Sequence, residues 1–314
     1  MKASAARLAI SEDKSGKLAT VLRPFMIANE LIGKKNPSPG RYVIDFQGLD
    51  VIAAQTFKVP FQQLESTVLP KREKAAEQEE KRNKQALAKN PKAKVNRHHA
   101  NFLRSWWTMS YPREAMVAEL AKLPRYIACG RVTKRPIFAF LDARIWPNDA
   151  LQVFAYDDDY SFGILQSGIH WQWFVSRCST LKSDFRYTSN TVWDSFPWPQ
   201  TPSEAAAKTV AAAAVELRTR RTDLMKTHNL SLRELYRSTE LPGANPLKTA
   251  QAKLDGAVRA AYGMGAKDDP LQFILDLNAT VVQAEKDKKP VQAPGLPASV
   301  TDRSAFVTTD CIGA

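Results

Sequence analysis

Residues 123–156, LPRYIACGRVTKRPIFAFLDARIWPNDALQVFAY, hold three short runs rich in β-branched and aromatic residues: RYIACGRV (125–132), IFAFLD (137–142) and LQVFAY (151–156). Two polar breaks, VTKRP and RIWPND, each carrying a proline, separate them, so the stretch predicts three strands joined by turns. The next run, DDDYSFGILQSGIHWQWFVSRC (157–178), predicts one helix, with acids in its first turn, apolar and aromatic residues along its body and Arg177 near its end. Asp157, Asp158 and Asp159 are read as charge complementing the helix dipole rather than as a metal cluster. The fold class that follows is α+β.

Upstream, residues 1–17 are charged and featureless and are expected to form a frayed leader. LATVLRPFMIANEL (18–31) is mostly apolar, and RYVIDF (41–46) alternates as a strand does. Between them GKKNPSPG (33–40) is an explicit turn. The run 71–104 holds eleven Lys or Arg against four Glu, a net of +7 within a chain whose total is +13. Its first part predicts a solvated helix that Asn90-Pro91 ends, serving either as an exposed charged face or as a phosphate-tracking arm. PREAMVAELAKL (112–123) predicts an amphipathic helix.

Downstream, the prolines of SFPWPQTP close the mixed region, and the composition shifts near residue 200. SEAAAKTVAAAAVELRTRRTDLMKTHN (203–229) predicts an Ala-rich helix capped by Ser203, and three further helical segments follow. The expected organisation is a leader (1–17), a mixed domain (18–200) with a basic helical insertion near 60–104, an all-helical C-terminal domain (201–290) and a loose tail (291–314).

The chain has 314 residues, 44% of them hydrophobic, which is enough for a sizeable core. Neither an apolar run of transmembrane length nor a secretory leader is present, so no membrane partner and a cytoplasmic location are expected. Cys129, Cys178 and Cys311 are odd in number and widely spaced, which supports neither a disulfide framework nor a zinc site. A +13 balance on a folded chain points to a polyanionic partner.

Catalytic motifs are not found. Gly263 and Gly265 stand at a helix end, not in a phosphate-binding loop after a strand. Asn36-Pro37-Ser38-Pro39 reads as a turn, and Glu79 with Lys81 lacks the context of a nuclease centre. His170 stands alone on an apolar helix and reads as a packed core residue. The remaining chemistry is polar and basic, on loops: Arg131, Lys134 and Arg135 between two strands, Asn148 in a turn, and Lys182, Arg186, Tyr187, Thr188 and Asn190 before the composition shift. Arg and Asn match guanine and adenine edges bidentately, while Lys, Thr and Tyr serve phosphates.

GILQSGIHWQWFVSRCSTLKSDFRYTSNTVWDSFPWP (163–199) resembles the distal part of the target-recognition region of MmeI-like DNA methyltransferases, which are single-chain type II restriction-modification enzymes, and of related adenine-specific methylases. VLRPFMIANELIG (21–33), GRYVIDFQGLD (40–50), RSWWTMSYPREAM (104–116), LPRYIACGRVTKRPIFAFLD (123–142) and KKPVQAPGLP (288–297) agree with it. The resemblance implies a target-recognition domain followed by a helical domain, double-stranded DNA as partner, and a methyltransferase domain or subunit that binds S-adenosylmethionine and methylates adenine N6. Neither the glycine-rich cofactor motif nor the Asn-Pro-Pro-aromatic motif is present, so no catalytic residue, metal or cofactor is assigned to this chain.

The resemblance puts base reading on Arg131, Arg135 and Asn148 and phosphate contacts on Lys134, Lys182, Arg186 and Tyr187. A competing reading makes Asp184, Arg186 and Tyr187 a packing clamp. The expected function is sequence-specific DNA recognition within a restriction-modification adenine methyltransferase. The alternatives are a truncated methyltransferase fragment active only with its missing half, and a protein-interaction scaffold.

Overall fold

A computed structural model describes residues 1–181 and 184–314, in two compact units: residues 1–25 with 39–118, and residues 26–38 with 119–314. The class is α+β, as the alternation of strand and helix patterns predicts. Among the described residues no helix is long and apolar enough to cross a membrane.

In the first unit, strand β1 (Leu22–Met26) pairs antiparallel with β2 (Arg41–Ile44), Leu22 facing Ile44 and Phe25 facing Arg41. Residues 1–17 are not a frayed leader. They contain the helix Ala3–Glu12, whose Ala6 is buried in the core with Val21, Leu22, Phe46 and Phe61, and Lys2 forms a bridge to Arg41. An apolar contact and a backbone bridge hold the end that composition alone left loose.

The basic run forms the helix Leu69–Lys89, which ends at Asn90 as the Asn-Pro step requires. One side of it is bound rather than solvated. Arg72 donates to the carbonyls of Phe102 (2.6 Å) and Thr108 (2.8 Å). Glu79 accepts the N–H groups of His99 and Ala100, both at 3.0 Å, satisfying two orphan donors at the start of the helix His98–Arg104. Glu79 is therefore a structural cap.

In the second unit, β3 (Arg125–Gly130), buried at every residue, is followed by β4 (Val132–Thr133), β5 (Ala139–Asp142), the short β6 (Trp146–Pro147) and β7 (Leu151–Phe154). β3 is the centre of an antiparallel sheet ordered β5-β3-β7. A second antiparallel sheet, ordered β4-β9-β8, adds β8 (Ser179–Leu181) and β9 (Asp184–Arg186).

The single helix expected over 157–178 is two, Asp159–Gln166 and Gly168–Arg177. Ser167 takes an extended conformation between them, and its hydroxyl accepts the His170 N–H (3.2 Å), so it ends one helix and caps the next. Gly163 permits the first of these to lie on the Ala-rich helix Glu204–His228, since a Cβ there would stand 2.7 Å from Val210. The change in composition near residue 200 is no break in packing: one core runs from Ile127 through Trp173 and Trp198 to Leu217, Leu254 and Phe306.

Residues 291–314 are anchored, contrary to the loose tail expected. Phe306 is fully buried, and Ile312 exchanges backbone bonds with Phe140 (2.9 Å) and Asp142 (3.0 Å) at the edge of β5. Two of the three consecutive acids serve ion pairs, not merely the helix dipole. Asp158 is the N-cap, accepting the Ser161 N–H at 2.7 Å. Asp157 pairs with Arg303, and Asp159 with both Arg125 (2.8 Å) and Arg218 (2.5 Å). Asp310 closes the group on Arg218 (2.7 Å) and Arg125 (3.1 Å). Helix, sheet and C-terminal segment thus meet on one neutral set of two guanidinium and two carboxylate groups, the arrangement in which buried charge is tolerated.

Candidate nucleic-acid interface

The sheet β4-β9-β8 lies on the helix Gly168–Arg177 through Phe185, whose ring meets Trp171 (5.8 Å) and Phe174 (6.0 Å). Side chains alternate along a strand, so Asp184 and Arg186 take the opposite face of β9. The register sets Val132 and Ser179 beside Arg186 on that face. Val132 is 41% exposed, an apolar residue standing in a polar row.

Lys134 and Arg135 occupy the turn from β4 to β5, both exposed. Thr133 stiffens the turn, its hydroxyl donating to the Arg135 carbonyl (2.5 Å) and accepting the Arg135 N–H (3.2 Å). The Arg135 guanidinium lies 6.0 Å from the Trp171 ring and donates to the Thr239 hydroxyl at 3.3 Å. Arg131 is half-buried where β3 passes into β4, with its guanidinium 3.4 Å from the Asp149 carbonyl. Asn148 accepts the Ala150 N–H (2.9 Å), which shapes the turn before β7, and among the described residues its amide NH2 makes no hydrogen bond. Among the described residues none of Arg131, Lys134, Arg135 and Arg186 is in an ion pair, in contrast to Arg125, Arg144, Arg218 and Arg303.

Tyr187 cannot reach a phosphate. It is fully buried, its ring stacks on Phe174 at 5.2 Å, and its backbone N–H donates to the Arg131 carbonyl at 2.8 Å. Its hydroxyl donates to Nε2 of His170 (2.9 Å), whose Nδ1–H donates to the Leu165 carbonyl (2.7 Å). Burial pushes the phenol well above its ordinary value and brings the imidazole down to about 4. Tyr187 is thus a packing residue, but its partners His170, Phe174 and Phe154 all precede residue 200, so these contacts do not clamp the mixed region onto the helices that follow; among the described residues Asp184 and Arg186 form no ion pair with each other, and Arg186 takes the face of β9 opposite Phe185. Lys182 lies outside the described residues.

Thr188 precedes, and Asn190 lies within, a single π-helical turn, Ser189–Trp193. The Thr188 hydroxyl is bonded to that of Thr191, while Asn190 is exposed. Sequence reasoning missed Gln152, which reaches the Ser189 hydroxyl (3.4 Å) and joins this turn to β7. Its signal was the alternation of LQVF, where Gln152 falls on the side opposite Leu151.

Gly263, at φ +71°, ends the helix Pro246–Ala261, and Gly130 leads from β3 into β4, so neither sits at a strand-to-helix turn.

Residues 126–200 match the family model described as "MmeI, target recognition domain". The chain is also similar to DNA methyltransferase A of Bacillus subtilis (strain 168), at 34% identity over 103 residues, which is 33% of this chain and 11% of that protein. A solved structure of the Type IIL restriction-modification enzyme MmeI in complex with DNA matches with a TM-score of 0.64 at 19% identity, covering 90% of this chain and 34% of that one. This last likeness is one of fold, and the chain spans about a third of the MmeI chain it resembles. Residues 126–200, which contain β4, β9 and the Ser189–Trp193 turn, are thus similar to an MmeI target recognition domain.

Proposed function

We propose that the chain reads the sequence of double-stranded DNA for a restriction-modification DNA methyltransferase. The carrying observation is that the stretch matching the target-recognition description holds Arg131, Lys134, Arg135 and Arg186, none of which is in an ion pair among the described residues. Lys134 and Arg186 contact phosphates, while Arg131, Arg135 and the Asn148 amide are presented to base edges, with Thr188 and Asn190 as the adjoining polar turn. Tyr187 and His170 hold the strand that bears Arg186. Adenine N6 methylation, and the S-adenosylmethionine it consumes, belong in this reading to a methyltransferase domain or subunit acting with these residues.

The test is binding of the purified chain to a randomised duplex pool across a salt series, with sequencing of the retained fraction. Enrichment of a short motif that persists at moderate salt is the expected result. Retention that disappears with salt and enriches no motif would mean phosphate attraction without base reading, and would overturn the assignment of a reading function to this chain alone.

A further inference from the structure

The second unit contains a cavity of about 540 Å3, well away in character from the exposed sheet. It is walled by the Lys35-Asn36-Pro37 turn, by Phe140 of β5, by the C-terminal half of the helix Glu204–His228, and by the segment 310–312. Among its lining residues are Lys35, Arg218, Arg221 and Lys226 against one carboxylate, Asp310. That carboxylate is already used. Arg125 and Arg218 are balanced by Asp159 and Asp310, so those four charges cancel.

Arg221 is left over. It is 4% exposed, and its guanidinium donates to the Phe138 carbonyl (2.8 Å) and the Tyr236 hydroxyl, while its Nε has no hydrogen-bond partner. Among the described residues no carboxylate pairs with it, although a buried charge is ordinarily compensated by an opposite one. Lys226, five residues further along the same helix and exposed, lines the cavity as well. Arg221 lines the cavity, so an anion held there would compensate its charge. The cavity is far larger than an inorganic anion needs, and Phe140, Met225 and Ile312 give it an apolar wall, the mixture expected of a site for an organic ligand.

We propose that this cavity binds a nucleoside monophosphate unit, with the phosphate between Arg221 and Lys226 and the base on the apolar wall. The unit is either a free nucleotide or one unstacked from a DNA strand. Binding of a free nucleotide does not require duplex reading, so a failure here leaves the proposed function standing, and the reverse also holds.

The experiment is calorimetric titration of the full chain with dAMP, adenosine and inorganic phosphate, accompanied by alkylation of Cys311, an exposed thiol that lines the cavity. The expected result is that dAMP binds at least about tenfold more tightly than either part alone, that Lys226→Glu weakens it about tenfold, and that dAMP slows alkylation of Cys311. Lys226 is exposed, so this variant is expected to keep the circular dichroism spectrum and melting of the parent; Arg221→Met serves as a second variant if it does as well. Equal binding of dAMP and adenosine, no effect of Lys226→Glu, or an unprotected Cys311 would each overturn the proposal. Displacement of dAMP by a mismatched duplex but not by its fully paired counterpart identifies the strand as the source, and no displacement by either identifies the free nucleotide.

Discussion

The hydroxyl of Tyr187 donates to Nε2 of His170 across 2.9 Å inside the core, and this bond joins the end of β9 to the helix beneath it. The imidazole is thereby committed to one tautomer, protonated on Nδ1 toward the Leu165 carbonyl. Neither group faces solvent, so the pair acts on the outer face only by holding the strand that carries Arg186.

Tyr187→Phe keeps the stacking on Phe174 but leaves the His170 nitrogen without its donor. A loss of about 1–3 kcal/mol in urea unfolding is expected. Folded Tyr187→Phe protein should retain its affinity for duplex DNA within about threefold. A large loss of affinity with unchanged stability would instead make the hydroxyl a DNA contact.

Acid acts on two buried groups in opposite directions. The His170 value falls to about 4, so below its ordinary 6.5 the unfolded chain takes up the proton first, and stability is lost as pH drops from 6.5 toward 4. Burial raises Asp158 to about 6, against the pull of Ser161 and Arg303; below that pH the folded chain takes up the proton first, and stability is gained down to the ordinary 3.8. The two offset one another in the wild type. Asp158→Asn keeps a competent N-cap and removes the gain, so its stability, measured in urea at pH 7 and pH 4.5, should fall more steeply with acid than that of the parent, by about 2 kcal/mol.

Asp159 holds Arg125 and Arg218 together. Asp159→Ala leaves two nearly buried guanidinium groups with only Asp310 between them, and a destabilisation of about 3–5 kcal/mol is expected in chemical denaturation. The same change should release the segment 306–312 to proteolysis before global unfolding, because Thr308 bonds to Asp159 as well. Release without loss of stability would show that the segment is held by Phe306 and Ile312 alone.

The proposed phosphate and base contacts are separable by substitution. Lys134→Ala and Arg186→Ala should each reduce the slope of log affinity against log salt by about 0.9 and weaken all duplexes alike. Arg135→Ala or Asn148→Ala should cost about 1–3 kcal/mol at one base pair and relax selection there. Unchanged sequence preference in both of the last two would remove those residues from the base-reading set.

Much of the architecture was readable from local patterns. The three strands within 125–156, the long basic helix ended at Asn90, and the helix capped by Ser203 follow from periodicity and capping residues that act over a few positions. The break at Ser167 was not read, because the apolar residues on its two sides continue without a gap and only the extended backbone of Ser167 separates them. Residues 1–17 and 291–314 were misjudged for a related reason: their few buried side chains, Ala6 and Phe306, are anchored by partners far away in the chain.

The sequence by itself determined the order of the three strands within 125–156 and of the helices after residue 200, the α+β class, the surplus of positive charge and the resemblance that names a recognition region. Only the tertiary structure decided which charged and polar residues face outward. Arg125 and Arg131 are six positions apart and chemically identical, yet one is locked between Asp159 and Asp310 and the other lies at a strand junction without an ion pair. Tyr187 and Arg186 are neighbours, and strand alternation sends one into the core and the other to the surface. Composition records the groups a chain has; which of them lose their water is settled by register and by contacts between residues distant in sequence, and that desolvation sets whether a charge holds the fold or remains available to a partner.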